Sequence, residues 1–146
     1  MRTLITGASG QLGAYVLPRL AEAGHEIAAW SAGTTGERWG ISLQPVDLGD
    51  EAAVWSELNR FRPEAILHLG AISAADAVRS DVTRARAVNI GGTATLARWT
   101  TDTGARLVFT STDLVFDGNA SWRKEDDPAE PRRLLTAHGA GYRLVR

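Results

Sequence analysis

Three glycines at intervals of three, Gly7, Gly10 and Gly13, stand between a short apolar run, Thr3-Leu4-Ile5-Thr6, and a segment with apolar residues at helical spacing. The order carries more weight than the spacing, because 15 glycines in 146 residues make chance triplets. A strand that turns sharply into a helix uses the first glycine for the turn and the second for a backbone bare enough to approach a phosphate. The third lets the helix lie close on the strand, so that the helix N-terminus aims its free amides at the anion. The chemistry allowed is pyrophosphate binding, with Gly7, Ser9, Gly10, Gln11, Leu12 and Gly13 as the residues expected to supply it. A purely structural turn is the competing reading.

Other chemically capable residues are sparse. The chain has no cysteine, and its three histidines, His25, His68 and His138, are too scattered for a ligand set, so no metal site is expected. Asp47-Leu48 follows one apolar run, and the hydroxyls of Ser111 and Thr112 follow another. An acid at the end of the second strand would accept ribose 2′-hydroxyls and repel a 2′-phosphate. That place holds Trp30-Ser31, and Arg38 reaches it only if the intervening loop folds back, which leaves NAD and NADP both open.

The elements that must position these residues alternate between short apolar runs and helical patterns, the mark of βαβ units and a parallel sheet covered on both faces. Strands are expected at 3–6, 26–30, 43–46, 65–69 and 106–110. The first helix runs from Gln11 to Ala23 with Leu12, Tyr15, Val16 and Leu20 on one face, bent at Pro18 and closed by Gly24. A second is capped by Asp50, carries Val54, Trp55, Leu58 and Phe61, and stops before Pro63. The longest, Asp81 to about Thr101, turns Ala85, Val88, Leu96 and Trp99 to the sheet. Gly91-Gly92 in its middle costs roughly 1 kcal/mol per residue relative to alanine, so close packing or a nearby ligand is expected there. The fold class is α/β, a Rossmann-type doubly wound parallel sheet of about five strands.

Composition excludes several function classes. A formal net charge of −1 provides no field to recruit nucleic acid, and no segment approaches the roughly 20 apolar residues that span a bilayer. The N-terminus reaches Gly7 before a signal-like apolar stretch can form, so a cytoplasmic protein with a small-molecule ligand is expected.

The string Thr6-Gly7-Ala8-Ser9-Gly10-Gln11-Leu12-Gly13 resembles the TGxxGxxG signature of the extended short-chain dehydrogenase/reductase family of sugar-nucleotide epimerases, dehydratases and reductases. Asp47-Leu48 looks like that family's adenine-contacting pair. His68-Leu69-Gly70-Ala71 is similar to its HLAA segment, whose backbone lines the cofactor, and Val88-Asn89-Ile90-Gly91-Gly92-Thr93 to its VNxxGT helix motif. Residues 109–118, reading FTSTDLVFDG, resemble the STDYVFDG segment of dTDP-4-dehydrorhamnose reductases and their relatives. The resemblance covers about residues 1 to 131. It implies NAD or NADP as cofactor, a sugar nucleotide as substrate, and Ser31, Asp47, Leu48, Leu69, Gly70, Ala71 and Asn89 as further cofactor-side residues. Thr112 matches the hydroxyl that hydrogen-bonds the substrate oxygen. Each match has a plainer reading: Asp47 as a cap, His68 as a strand residue, Asn89 as the support of a kink.

The resemblance breaks at the acid/base pair. The family uses a Tyr followed four residues later by a Lys that lowers the tyrosine pKa for proton transfer near neutral pH. Here Leu135-Thr136-Ala137-His138-Gly139 places His138 at the tyrosine position and Tyr142 at the lysine position; Tyr142 with Arg146 is the weaker alternative. Residues 1–118 are expected to form the dinucleotide-binding domain, and 119–146 a divergent, irregular tail. The resemblance implies the N-terminal portion of a longer reductase, its substrate lobe absent, with a complete small protein bearing a solvated basic tail as the alternative. Three functions stay open: a sugar-nucleotide reductase or, within the class, an epimerase or dehydratase; a non-catalytic dinucleotide-binding subunit; and an inactive fragment. A homodimer is carried as a further partner.

Overall fold

The computed structural model describes residues 1–112 and 115–128. Its elements are β1 (Arg2–Thr6), α1 (Gln11–Glu22), β2 (Glu26–Ser31), β3 (Gly36–Arg38), β4 (Ile41–Pro45), α2 (Glu51–Phe61), β5 (Ala65–His68), α3 (Ala75–Ser80), α4 (Val82–Arg86), a π-helical turn (Ala87–Gly92), α5 (Thr93–Thr103) and β6 (Arg106–Phe109). They build a six-stranded sheet in the order β3-β4-β2-β1-β5-β6. All pairings are parallel except β3 with β4.

Leaving out β3, this is the doubly wound order, with its reversal between β1 and β5. There the chain leaves β1 toward one side and returns from β4 to the other, which opens a crevice at the carboxyl ends of the strands. Alternation along β1 assigns Leu4 to one face and Ile5 to the other. Leu4 belongs to a core with Trp30, Val54, Leu58, Ile66, Leu96 and Trp99 under α2 and α5. Ile5 packs with Ala8, Leu17, Ala29 and Leu43 under α1.

Several expectations need correction. The sheet has six strands rather than about five, because residues expected as loop continue into β3, which pairs back on β4. Arg38 pairs with Ile41, and the two residues between them, Trp39 and Gly40, both have positive φ (55° and 72°), the twist that suits a tight hairpin. Trp-Gly is not a usual sequence for such a turn, so the hairpin left little trace in composition. The strand expected at 43–46 spans Ile41–Pro45, and those expected to reach Leu69 and Thr110 stop at His68 and Phe109. On α1, Tyr15 and Leu12 are exposed, and the buried stripe is instead Gly13 and Leu17 with Val16 and Leu20 beside them.

The helix expected from Asp81 is divided. Asp81 caps α4, its carboxylate accepting from Arg84 N–H at 2.8 Å, a role not expected from the sequence, and Ala85, Val88, Leu96 and Trp99 are buried as expected. Between α4 and α5, however, the backbone widens into the π-helical turn, and the additional short α3 precedes Asp81. Asp50 caps α2 as expected, through Ala53 N–H at 3.0 Å. α1 runs unbroken through Pro18 and closes with Gly24 at φ 72°, where Gly24 N–H reaches Ala21 C=O and His25 N–H reaches Leu20 C=O.

Candidate functional site

The carboxyl ends of β1 and β5 carry the groups the sequence singled out. Gly7 turns with φ 69°, and a β-carbon there would lie 2.7 Å from Gly70 N, so both conformation and contact exclude a side chain. The turn is tied to its neighbours by Ala8 N–H to Trp30 C=O and Gly10 N–H to Gly7 C=O, each 2.9 Å. A β-carbon at Gly13 would collide with Ala8 C=O, so the third glycine seats α1 on the turn. The first intrahelical bond of α1 is Ala14 N–H to Gly10 C=O, and no side chain caps the helix. The amides of Gln11, Leu12 and Gly13 therefore lack intrahelical acceptors, which leaves an electropositive end facing the crevice.

Two cavities meet at that end. One, of about 320 Å³, is lined by Gly7, Gly10, Gln11, Leu12, Leu69, Ala71, Ser73 and Thr110. The other, of about 130 Å³, is lined by Ser31, Ala32, Val46, Asp47, Leu48, Ala71, Ile72, Arg84 and Val88. Ala71 lines both, so the two adjoin there as the two parts of one cleft at the carboxyl ends of the strands. A larger hollow of about 610 Å³ opens at the amino ends of the strands, among Arg2, Arg62, Glu64 and Trp99. It lies across the sheet from the glycine turn, and its Arg2 Nε already donates to Arg62 C=O.

The structure brings Gly7, Gly10, Gln11, Leu12, Ser31, Asp47, Leu48, Leu69 and Ala71 to the cleft wall. Gly70 lies just behind it, against Gly7, and its N–H donates to Thr6 Oγ1 at 3.1 Å. Ser9 and Gly13 shape the turn without lining either cavity. Asn89 acts from behind: its side-chain oxygen accepts from Ile72 N–H at 2.8 Å and its amide donates to Ile72 C=O at 3.0 Å. The Asn89 side chain thus pairs with Ile72 as a neighbouring strand would. Gly92 explains half of the helix's glycine pair, since a β-carbon there would lie 2.7 Å from Leu48 C=O; Gly91 faces open space.

Asp47 carries a fixed negative charge. The Arg84 guanidinium, 2.6 Å away, holds its carboxyl below the usual range, with Gly49 N–H adding to the effect and partial burial opposing it. Arg84 lies outside the sequence motifs, because three arginines in eight residues from Arg79 give no hint which one turns inward; Ser73 likewise carries no motif, and Thr110 only flanks the Ser111-Thr112 hydroxyls. His68, at the end of β5, is 1% exposed and stacks on Phe109 with ring centroids 5.3 Å apart. Burial pushes its imidazole down to about 4, so it is neutral at physiological pH. Thr112 follows β6 at the same carboxyl edge, half-buried, with its C=O accepting from Val115 N–H at 3.4 Å. His138 and Tyr142 lie outside the described residues, as does most of the expected tail. Among the described residues no acid/histidine cluster could hold a metal, and no helix is long and apolar enough to cross a membrane.

The sequence matches the family described as RmlD substrate binding domain over residues 1–138. The chain belongs to this family. Among its relatives are dTDP-4-dehydrorhamnose reductase of Streptomyces griseus, 36% identical over 99% of this chain and 44% of that protein, and methionine adenosyltransferase 2 subunit beta of Rattus norvegicus, 35% identical over 88% and 37%. Of solved structures, the Bordetella bronchiseptica enzyme WbmG in complex with NAD and UDP superposes with a TM-score of 0.83, 25% identity, and coverage of 99% of this chain and 49% of that one. A dTDP-4-dehydrorhamnose reductase of Bacillus anthracis in complex with NADP gives 0.77, 26%, 99% and 48%. The chain spans about half the length, or less, of the proteins it matches.

Proposed function

We propose that this chain is the dinucleotide-binding half of an NAD- or NADP-dependent sugar-nucleotide reductase of the dTDP-4-dehydrorhamnose reductase kind. The observation that carries the reading is the Gly7 turn pressed against Gly70, with the uncapped amide end of α1 opening onto the cleft. Those groups fit a dinucleotide. The amides of Gln11 and Leu12 would take the pyrophosphate, and Asp47 and Leu48 would bound the adenine end beside Ser31. The wall of Leu69, Ala71, Ser73 and Thr110 would face the nicotinamide end. The bound nicotinamide would supply the hydride; the protein's part is to hold it over the carboxyl edge, where Thr112 would contact the sugar oxygen. In this reading residues 1–118 carry the binding unit and the protein is cytoplasmic.

Fluorescence titration of the 146-residue chain with NADH and NADPH tests it, alongside Gly7→Val. Saturable binding by the parent chain and its loss in the variant are expected, because any β-carbon at Gly7 drives Gly70 off the turn. No binding of either dinucleotide at millimolar concentration refutes the reading.

A second reading is a subunit that binds dinucleotide without turnover. His138 where the family places its tyrosine favours it, as does the likeness to a methionine adenosyltransferase subunit. Reduction of a dTDP-4-keto sugar by this chain with NADPH decides between the two: turnover removes the second reading.

A further inference from the structure

The polar groups buried behind the cleft form a chain whose proton positions follow from the identity of its two ends. At one end Gly70 N–H, which can only donate, points to Thr6 Oγ1 at 3.1 Å. Thr6 Oγ1 lies 2.6 Å from His68 Nδ1, and His68 Nε2 lies 2.8 Å from Thr93 Oγ1. At the other end Thr93 Oγ1 lies 2.7 Å from Asn89 C=O. A carbonyl oxygen can only accept, so the single hydroxyl proton of Thr93 is committed to Asn89. Thr93 Oγ1 must then accept from the ring, which puts a proton on His68 Nε2. A second proton on Nδ1 would leave a cation in a site with 1% exposure and no carboxylate in the chain of bonds. Nδ1 is therefore bare and receives the Thr6 hydroxyl proton. All four bonds run one way, from Gly70 N–H to Asn89 C=O. The Phe109 ring stacked 21° from parallel on the imidazole holds the plane in which this works.

Both ends of the chain bear on cleft walls. Gly70 is the residue that closes on Gly7, and Asn89 is the residue whose side chain grips both backbone groups of Ile72. His68 itself lines neither cavity. We propose that His68, as its neutral Nε2-protonated tautomer, is a positioning residue for dinucleotide binding, setting the spacing between the Gly7 turn and the wall held by the π-helical turn. This rests on the dinucleotide reading above. An imidazole suits the task because its two nitrogens, one accepting and one donating, join two hydroxyls on different elements with a rigid spacer.

The test has two parts. Nitrogen-15 NMR of the histidine-labelled full chain at pH 7 should show His68 with Nε2 protonated and Nδ1 bare; a ring protonated at Nδ1 overturns the inference. This measurement needs no variant to fold. Dinucleotide titrations then compare Thr93→Val, which keeps the shape but removes the hydroxyl, with Thr93→Ser, which keeps the hydroxyl. Loss of one buried hydrogen bond converts to roughly five- to tenfold weaker binding in Thr93→Val, with most of it recovered in Thr93→Ser. Hydrogen exchange at Leu4 and Ile66 verifies that the sheet is intact. A parent chain that binds neither dinucleotide overturns the functional reading and this inference with it. A parent chain that binds, with Thr93→Val binding equally well or Thr93→Ser as poorly as Val, overturns this inference alone.

Discussion

Acid should weaken this fold through His68 specifically, and the size of the effect follows from the burial of one ring. The folded-state pKa is about 4 against an ordinary 6.5, and the shift comes from desolvation. A depressed histidine pKa means that the unfolded chain binds the proton more readily. Stability is therefore complete above about pH 6.5 and falls as the pH drops toward 4, below which both states are protonated and the loss stops. A gap of about 2.5 units amounts to about 3 kcal/mol, of which about 2 kcal/mol is gone by pH 5. That is a large share of the roughly 5–15 kcal/mol that holds a typical domain together. The assay is urea unfolding at half-unit steps from pH 7.5 to 4, for the parent chain and for His68→Leu. His68→Leu is less stable at neutral pH because it leaves the Thr6 and Thr93 hydroxyls without the ring, but its stability should decline less steeply between pH 6.5 and 4. Carboxylates held by partners, such as Asp47 and Glu57, contribute alike to both proteins and cancel in the difference. Parallel pH profiles for the two would refute the assignment of a neutral, desolvated ring.

Two further outcomes follow from contacts around the cleft. Gly92→Ala would put a β-carbon 2.7 Å from Leu48 C=O, so it should cost about 1–3 kcal/mol by thermal or urea unfolding and weaken dinucleotide binding, since Leu48 lines the cleft; an unchanged midpoint would show that the loop yields freely. Asp50→Ala removes the cap that accepts Ala53 N–H, and should cost about 1 kcal/mol while leaving dinucleotide affinity unchanged, because Asp50 lines neither cavity.

Much of this protein was legible in its sequence. The order strand, glycine turn, helix needs only local chemistry: short apolar residues for β1, a position at Gly7 that tolerates φ 69°, and an amphipathic segment after it. Asp50 announced its helix because a capping carboxylate acts within three residues of its own position. The repeated βαβ pattern determined the parallel sheet, and family membership followed from motifs that each occupy a few consecutive residues.

What the sequence withheld depends on partners distant along the chain. The hairpin of β3 is decided by pairing with β4 rather than by Trp39-Gly40 itself. The exposure of Leu12 and Tyr15 reflects which side of α1 meets the sheet, and helical spacing alone could not choose between two apolar stripes. The break in the long helix holds a residue with a distant partner: Asn89, inside the π-helical turn, pairs its side chain with the backbone of Ile72, 17 residues earlier. Arg84 finds Asp47 across 37 positions, and His68 finds Thr6 across 62 and Thr93 across 25. Local sequence determined that a tight glycine turn joins β1 to α1; long-range packing decided that His68 is buried between the Thr6 and Thr93 hydroxyls, because burial and hydrogen-bond direction are properties of the assembled sheet alone.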